Sequence, residues 1–283
     1  MLIKENKTPW NKKSVIFIHG IGRQPVNFSA PLQKLLQDID PATADATRWH
    51  EVAYDSVNDA MEQKVIQFRA ALAKVGESTA AGAGSLSADF LVDLLNFLFN
   101  VDPYNWINTI TKTALVDVVE QGQKLGVEQK DHEIFILSHS LGTVVTYETL
   151  HTVINEAQTL GFSSNFHIKA LFTLGCPLAF IKANVRGIPT VNDNFYLRNE
   201  PIGRPMRNNS FTGRMQSNIT DWYNLRQKID PVASLIPLDQ KSANGSLSEE
   251  TMVFDKLHTG MNPHDFLNYL TEYGPMIMGK IRA

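Results

Sequence analysis

Cysteine is nearly absent. Cys176 stands alone in 283 residues, so no disulfide can form within the chain. Long apolar runs are missing too: no stretch reaches the roughly 18–20 consecutive apolar residues that a membrane span needs. The segment MLIKENKTPWNKK that opens the chain is polar and charged, unlike the apolar core of a signal peptide, so a cytoplasmic location is expected. There is no excess of positive charge. Lys and Arg number 26 against 29 Asp and Glu, a formal net charge of −3, and no nucleic-acid partner is expected. Repeats at solenoid periods are absent. So are a helical H-x-x-x-H pattern and any Cys/His cluster, so neither a metal nor another cofactor is expected.

What is present reads as globular, with 43% hydrophobic and 19% charged residues. Val15-Ile16-Phe17-Ile18, Ile134-Phe135-Ile136-Leu137 and Ala170-Leu171-Phe172-Thr173-Leu174 are uninterrupted β-type runs. Such runs suit strands of a parallel sheet buried on both faces. Shorter strands are expected at 49–54, 221–225 and 252–254. Helical spacing places Leu32, Leu35, Leu36 and Ile39 on one face, and further helices are expected at 143–158 and 265–273. Alternating strands and helices predict an α/β fold with a mostly parallel central sheet and helices on both faces. One domain over 1–283 is expected.

Two connections are long. Residues 55–130 exceed one crossover and read as a helical insertion and candidate lid. Within it, 76–87 (GESTAAGAGSLS) has the composition of a hinge. At 88–101, Asp89, Asp93, Asn96 and Asn100 form a polar stripe on an otherwise apolar helix. Its plain reading is a helix packed on the core; its functional reading is a cover over an acyl site, or a peripheral membrane or partner contact. In 178–220, Lys182, Arg186, Arg198, Arg204, Arg207 and Arg214 outnumber Asp193 and Glu200. That loop is either solvated surface or a rim that attracts anionic substrates.

The chemistry concentrates at Ser138-His139-Ser140-Leu141-Gly142, between a buried strand and a helix. A nucleophile elbow needs this context: a sharp strand-to-helix turn exposes the serine hydroxyl, and small residues two before and two after it avoid collision. Ser140 is the expected nucleophile, with Ser138 the rival hydroxyl in place of the usual glycine. Ser140 as a plain cap of the following helix is the alternative. Two backbone N–H groups are expected to form the oxyanion hole, those of Leu141 and of Ile21 in His19-Gly20-Ile21-Gly22. His19 is expected to hold that loop.

A serine needs a histidine base oriented by a carboxylate, in the chain order nucleophile, acid, histidine. Asp230, in Ile229-Asp230-Pro231, is favoured over Asp193, Glu200, Asp221 and Asp255. His264, in Asn262-Pro263-His264-Asp265, is favoured over His258.

VIFIHGIG, SHSLGTVVTYETL, LFTLGCPL, IDPVA and NPHDFLNYL together resemble α/β-hydrolase-fold serine esterases and lipases, especially bacterial hydrolases related to the DDHD-domain phospholipases. The resemblance covers the sheet-forming parts of the chain and neither long connection. It implies a catalytic triad of Ser140, Asp230 and His264, an oxyanion hole of Ile21 and Leu141, and a small-molecule or lipid ester as substrate. Thioesters and peptides share this chemistry, and a non-catalytic scaffold on the same fold is the reading from another class.

Overall fold

The computed structural model describes residues 9–20, 27–53, 101–163, 166–185, 197, 202, 206–209, 214–227, 230, 233, 251–256 and 264–283. In chain order the elements are β1 (Lys13–Ile18), α1 (Ala30–Ile39), α2 (Pro41–Ala46), β2 (Arg48–Val52), α3 (Val101–Lys124) and β3 (Glu133–His139). There follow α4 (Leu141–Asn155), β4 (Ile168–Leu174), α5 (Leu178–Val185), β5 (Met206–Asn209), β6 (Arg214–Ser217), β7 (Ile219–Gln227), β8 (Thr251–Lys256) and α6 (Phe266–Arg282).

Six strands form one sheet in the order β2-β1-β3-β4-β7-β8, with every neighbour parallel. The strands are apolar on both faces because both faces are covered, and period-two alternation sorts their side chains into two cores. Ile16, Ile18, Ile134, Ile136, Leu171 and Trp222 pack with α3, α4 and α5. Val15, Phe17, Phe135, Leu137, Phe172 and Tyr223 pack with α1, α2 and α6 on the other side. Each fully buried Val, Leu, Ile or Phe is worth about 1.5–3 kcal/mol, so these two layers fix the register. Ile18, Ser138, Thr173 and Asn224 consequently lie in one row across the sheet. Chain segments leaving β1, β3, β4 and β7 therefore emerge together at one edge.

The structure moves several expected boundaries, and the helix expected to reach 158 stops three residues earlier. Helix α4 starts at Leu141 rather than 143 and ends at Asn155. β7 runs from Ile219 to Gln227, and α6 continues through Pro275 to Arg282. The connection 178–220 contains α5 and the antiparallel β5–β6 hairpin, where the sequence suggested only loop. Of the connection 55–130, α3 is described; the hinge at 76–87 and the striped segment at 88–100 lie outside the described residues. No helix among the described residues is long and apolar enough to cross a membrane.

Candidate active site

Ser140 occupies the corner between β3 and α4 at φ 53°, ψ −130°. Only a strained backbone turns a strand so sharply into a helix, and the surroundings have to hold it there. Its N–H donates to the Leu174 carbonyl at 2.9 Å, which extends the ladder to β4 by one residue. Its carbonyl accepts from the Thr143 N–H at 3.0 Å and the Thr143 hydroxyl at 2.7 Å. Gly142 permits the corner sterically, since a Cβ there would sit 2.1 Å from the His19 carbonyl oxygen. Although Ser140 is at the N-cap position of α4, its side chain makes no capping bond.

The Ser140 hydroxyl instead faces His264, with Oγ 2.7 Å from Nε2. His264 lies just ahead of α6, whose first turn is capped by the Asp265 carboxylate accepting from the Leu267 and Asn268 N–H groups. The other ring nitrogen, Nδ1, is 2.7 Å from Oδ2 of Asp230. An ionised carboxylate only accepts, so the proton of the neutral ring belongs on Nδ1 and Nε2 is left to accept from Ser140. Asp230 leaves the end of β7 in a turn, its N–H donating to the Gln227 carbonyl at 3.1 Å. Its Oδ1 accepts from the Ala233 N–H at 3.3 Å. The structure thus brings together Ser140, Asp230 and His264, which are far apart in the chain. The Asp230 side chain is fully buried and that of His264 is 21% exposed.

Three neighbours that sequence reasoning missed complete the site. The Tyr269 hydroxyl donates to Oδ2 of Asp230 at 2.6 Å. Gly175, after β4, has φ 60°, and a Cβ on it would come within 3.0 Å of His264 Nδ1 and 3.1 Å of Asp230 Oδ2. The buried His139 ring packs 4.8 Å from that of His264 and stacks on Phe266 at 4.9 Å. Burial holds His139 well below the usual imidazole range, with the nearby His264 acting in the same direction, so its ring is neutral. Sequence signals for two of them existed: Tyr269 lies within NPHDFLNYL, and Gly175 ends an expected strand.

The remaining candidates divide clearly. Ser138 is fully buried and its hydroxyl donates to the Phe172 carbonyl at 3.3 Å, within the sheet. Leu141 is the first residue of α4, and an N–H at that position has no intrahelical acceptor. Ile21, Asp193, Glu200 and His258 lie outside the described residues. Asp221 accepts from the Tyr223 hydroxyl at 3.1 Å, near the start of β7 and away from Ser140. Asp255 is on β8, in register with Arg226. His19, at the end of β1, contacts the Gly20 carbonyl through Nδ1 and packs edge-on against Phe28. Among the described residues, no group of three or more His, Cys, Asp or Glu side chains is placed to hold a metal ion.

A parallel sheet covered on both faces, with a serine at a strand-to-helix corner and a carboxylate and histidine following later strands, is an α/β-hydrolase fold. No protein-family profile matches the sequence, and no curated protein matches it. Solved structures match remotely. A hyperthermophilic esterase from Pyrobaculum calidifontis is 11% identical at a TM-score of 0.45, the match covering 98% of this chain and 78% of that one. An esterase/lipase from an uncultured bacterium gives 10% and 0.42, covering 98% and 80%. Est1E from Butyrivibrio proteoclasticus gives 11% and 0.40, covering 99% and 93%. Likeness so remote transfers no substrate and no residue role to this chain.

Proposed function

We propose that the protein is a serine hydrolase that cleaves carboxylic esters through an acyl-Ser140 intermediate. The observation that carries this reading is the continuous chain Ser140 Oγ–His264–Asp230, with both links at 2.7 Å. Ser140 Oγ attacks the acyl carbonyl carbon while its proton passes to Nε2 of His264. The carbonyl oxygen becomes an oxyanion, for which the N–H groups of Leu141, at the start of α4, and of Ile21 are the candidate donors. When the tetrahedral centre collapses, the bond to the alkoxy oxygen breaks and the leaving alcohol takes the proton from His264. Water then repeats the sequence on the acyl-enzyme, with His264 as base, and releases the acid. Asp230 stays ionised throughout, fixing the imidazole tautomer and balancing the imidazolium charge.

The test is a fluorophosphonate probe followed by peptide mapping. Labelling is expected on Ser140, and Ser140→Ala is expected to abolish it and to lower ester turnover by roughly 10⁶-fold. Labelling elsewhere, or turnover that survives Ser140→Ala, contradicts the reading. A binding protein on this fold would bind partners equally well with and without the hydroxyl. Running p-nitrophenyl esters from acetate to palmitate beside phosphatidylcholine vesicles separates a short-chain esterase from the phospholipase that the DDHD resemblance implies.

A further inference from the structure

Asp230 Oδ2 receives two donors, His264 Nδ1 and the Tyr269 hydroxyl, at 2.7 and 2.6 Å. The direction of the second bond is determined by its surroundings. The Gln227 N–H points at the Tyr269 oxygen from 3.3 Å and can only donate, so that oxygen accepts there and its own proton is free for Asp230. Tyr269 is fully buried on the inner face of α6. From this geometry we infer that Tyr269 is a positioning residue for catalysis, which acts on His264 through Asp230 by sharing the oxygen that orients the imidazole. The inference rests on the proposed reading of Ser140, Asp230 and His264.

Two consequences give Tyr269 more than a packing role. First, it ties the acid to the element that carries the base. Asp230 follows β7, His264 directly precedes α6, and Tyr269 lies one turn into α6, so carboxylate and imidazole are referenced to the same helix. Second, its O–H withdraws charge from Oδ2. A carboxylate with one strong donor removed is more negative at that atom, and it favours the protonated, inactive imidazole of His264 more strongly. Burial, and after it the charge of Asp230, raise the Tyr269 pKa far above the phenol range, so the donor proton stays in place at all working pH values. The other titratable rings facing Tyr269 are His139, 5.8 Å away and kept neutral, and Tyr273, 6.2 Å away on the same helix.

The experiment compares wild type, Tyr269→Phe and Tyr273→Phe by ester kinetics and by proton NMR of the Nδ1–H shared between His264 and Asp230. Phe keeps the ring and removes only the hydroxyl. For Tyr269→Phe, kcat should fall about tenfold, the scale of one charge-assisted hydrogen bond, with KM within about twofold. The low-pH limb of kcat/KM should move up by roughly half a unit, and the Nδ1 resonance should move downfield as the remaining bond strengthens. Tyr273, whose hydroxyl donates to the Arg226 carbonyl, should leave both limb and resonance in place. In an Asp230→Asn background, removing the Tyr269 hydroxyl should have little further effect on kcat.

An unmoved limb and resonance in Tyr269→Phe, or a fully additive double variant, overturns the inference, because a structural tyrosine would lower activity without touching either signal. Failure of the enzyme reading looks different: wild type hydrolyses no ester, yet the resonance still moves in Tyr269→Phe, which supports the contact while removing the chemistry.

Discussion

At Gly175 the backbone at φ 60° and the closeness of two side chains of the proposed triad coincide, so this position tests how tightly the site is built. A methyl group added there would meet the imidazole of His264 and the carboxylate of Asp230 near 3.0 Å, and neither is the free end of a flexible chain. Gly175→Ala is expected to lower kcat by roughly 10²-fold, the usual effect of displacing a catalytic group by about 1 Å. Stability should drop by about 1–2 kcal/mol from the left-handed backbone alone. Steady-state kinetics beside urea unfolding separates the two, and an unchanged kcat would mean that this wall does not position His264. The residues of the candidate site were legible in the sequence to the extent that they left local marks. Ser140 carries the strand–serine–glycine signature, and Asp230 and His264 stand at proline-marked turns in the right chain order. Tyr269 stands inside NPHDFLNYL yet shows no role there, because a tyrosine on the apolar face of a helix reads as core, and its partner is 39 residues away.

Helix α6 carries the histidine at its head and a long buried stripe behind it: Tyr269, Leu270, Tyr273, Ile277, Met278 and Ile281. Its sequence suggested an end near 273, where Gly274 and Pro275 interrupt the helical pattern. A proline inside a helix costs about 3 kcal/mol. Burying Ile277, Met278 and Ile281 against the sheet and α1 returns more than that, at about 1.5–3 kcal/mol each. Tertiary packing, invisible to a local reading, therefore carries the helix through the proline. The same logic applies to α5, whose Leu178 and Ile181 are buried in the core. At the head of α6, Asp265 holds two backbone N–H groups at 2.8 and 3.3 Å. Replacing it by Ala should destabilise the protein by about 1 kcal/mol, whereas Asn, which also caps, should stay within a few tenths of wild type. Urea midpoints at constant m-value check this. Because His264 is the adjacent residue, kcat should fall in Asp265→Ala and recover in Asp265→Asn; equal activity in both would separate the cap from the site.

For the molecule as a whole, the parallel strands were readable because full burial leaves continuous apolar runs, whereas their order across the sheet depends on long-range pairing that no local pattern encodes. The same burial enclosed several histidines. Desolvation lowers His19, His50 and His132 from 6.5 to about 4, and for His50 the neighbouring His132 and Arg48 add to it. His139 is shifted in the same direction. An unfolded chain protonates these imidazoles near 6.5, whereas the folded protein resists until about 4. Between those values the unfolded state binds more protons, so stability rises with pH there. Their contribution is fully present above about 6.5 and is withdrawn as the solution is acidified toward 4. Urea unfolding midpoints should therefore decline steadily from about pH 7 to about pH 4.5. His132→Gln removes one titrating group while leaving an amide within reach of the Ser14 hydroxyl, which His132 Nε2 meets at 2.9 Å. That variant should lose stability at neutral pH yet show a shallower decline on acidification. A slope identical to wild type would mean that His132 takes up no proton on unfolding, and the acid sensitivity would then belong to the other buried rings. Because His132 sits at the start of β3, at the opposite end of that strand from Ser140, its replacement should leave the low-pH limb of kcat/KM where it was. Acid loss of fold and acid loss of activity would then separate in one variant.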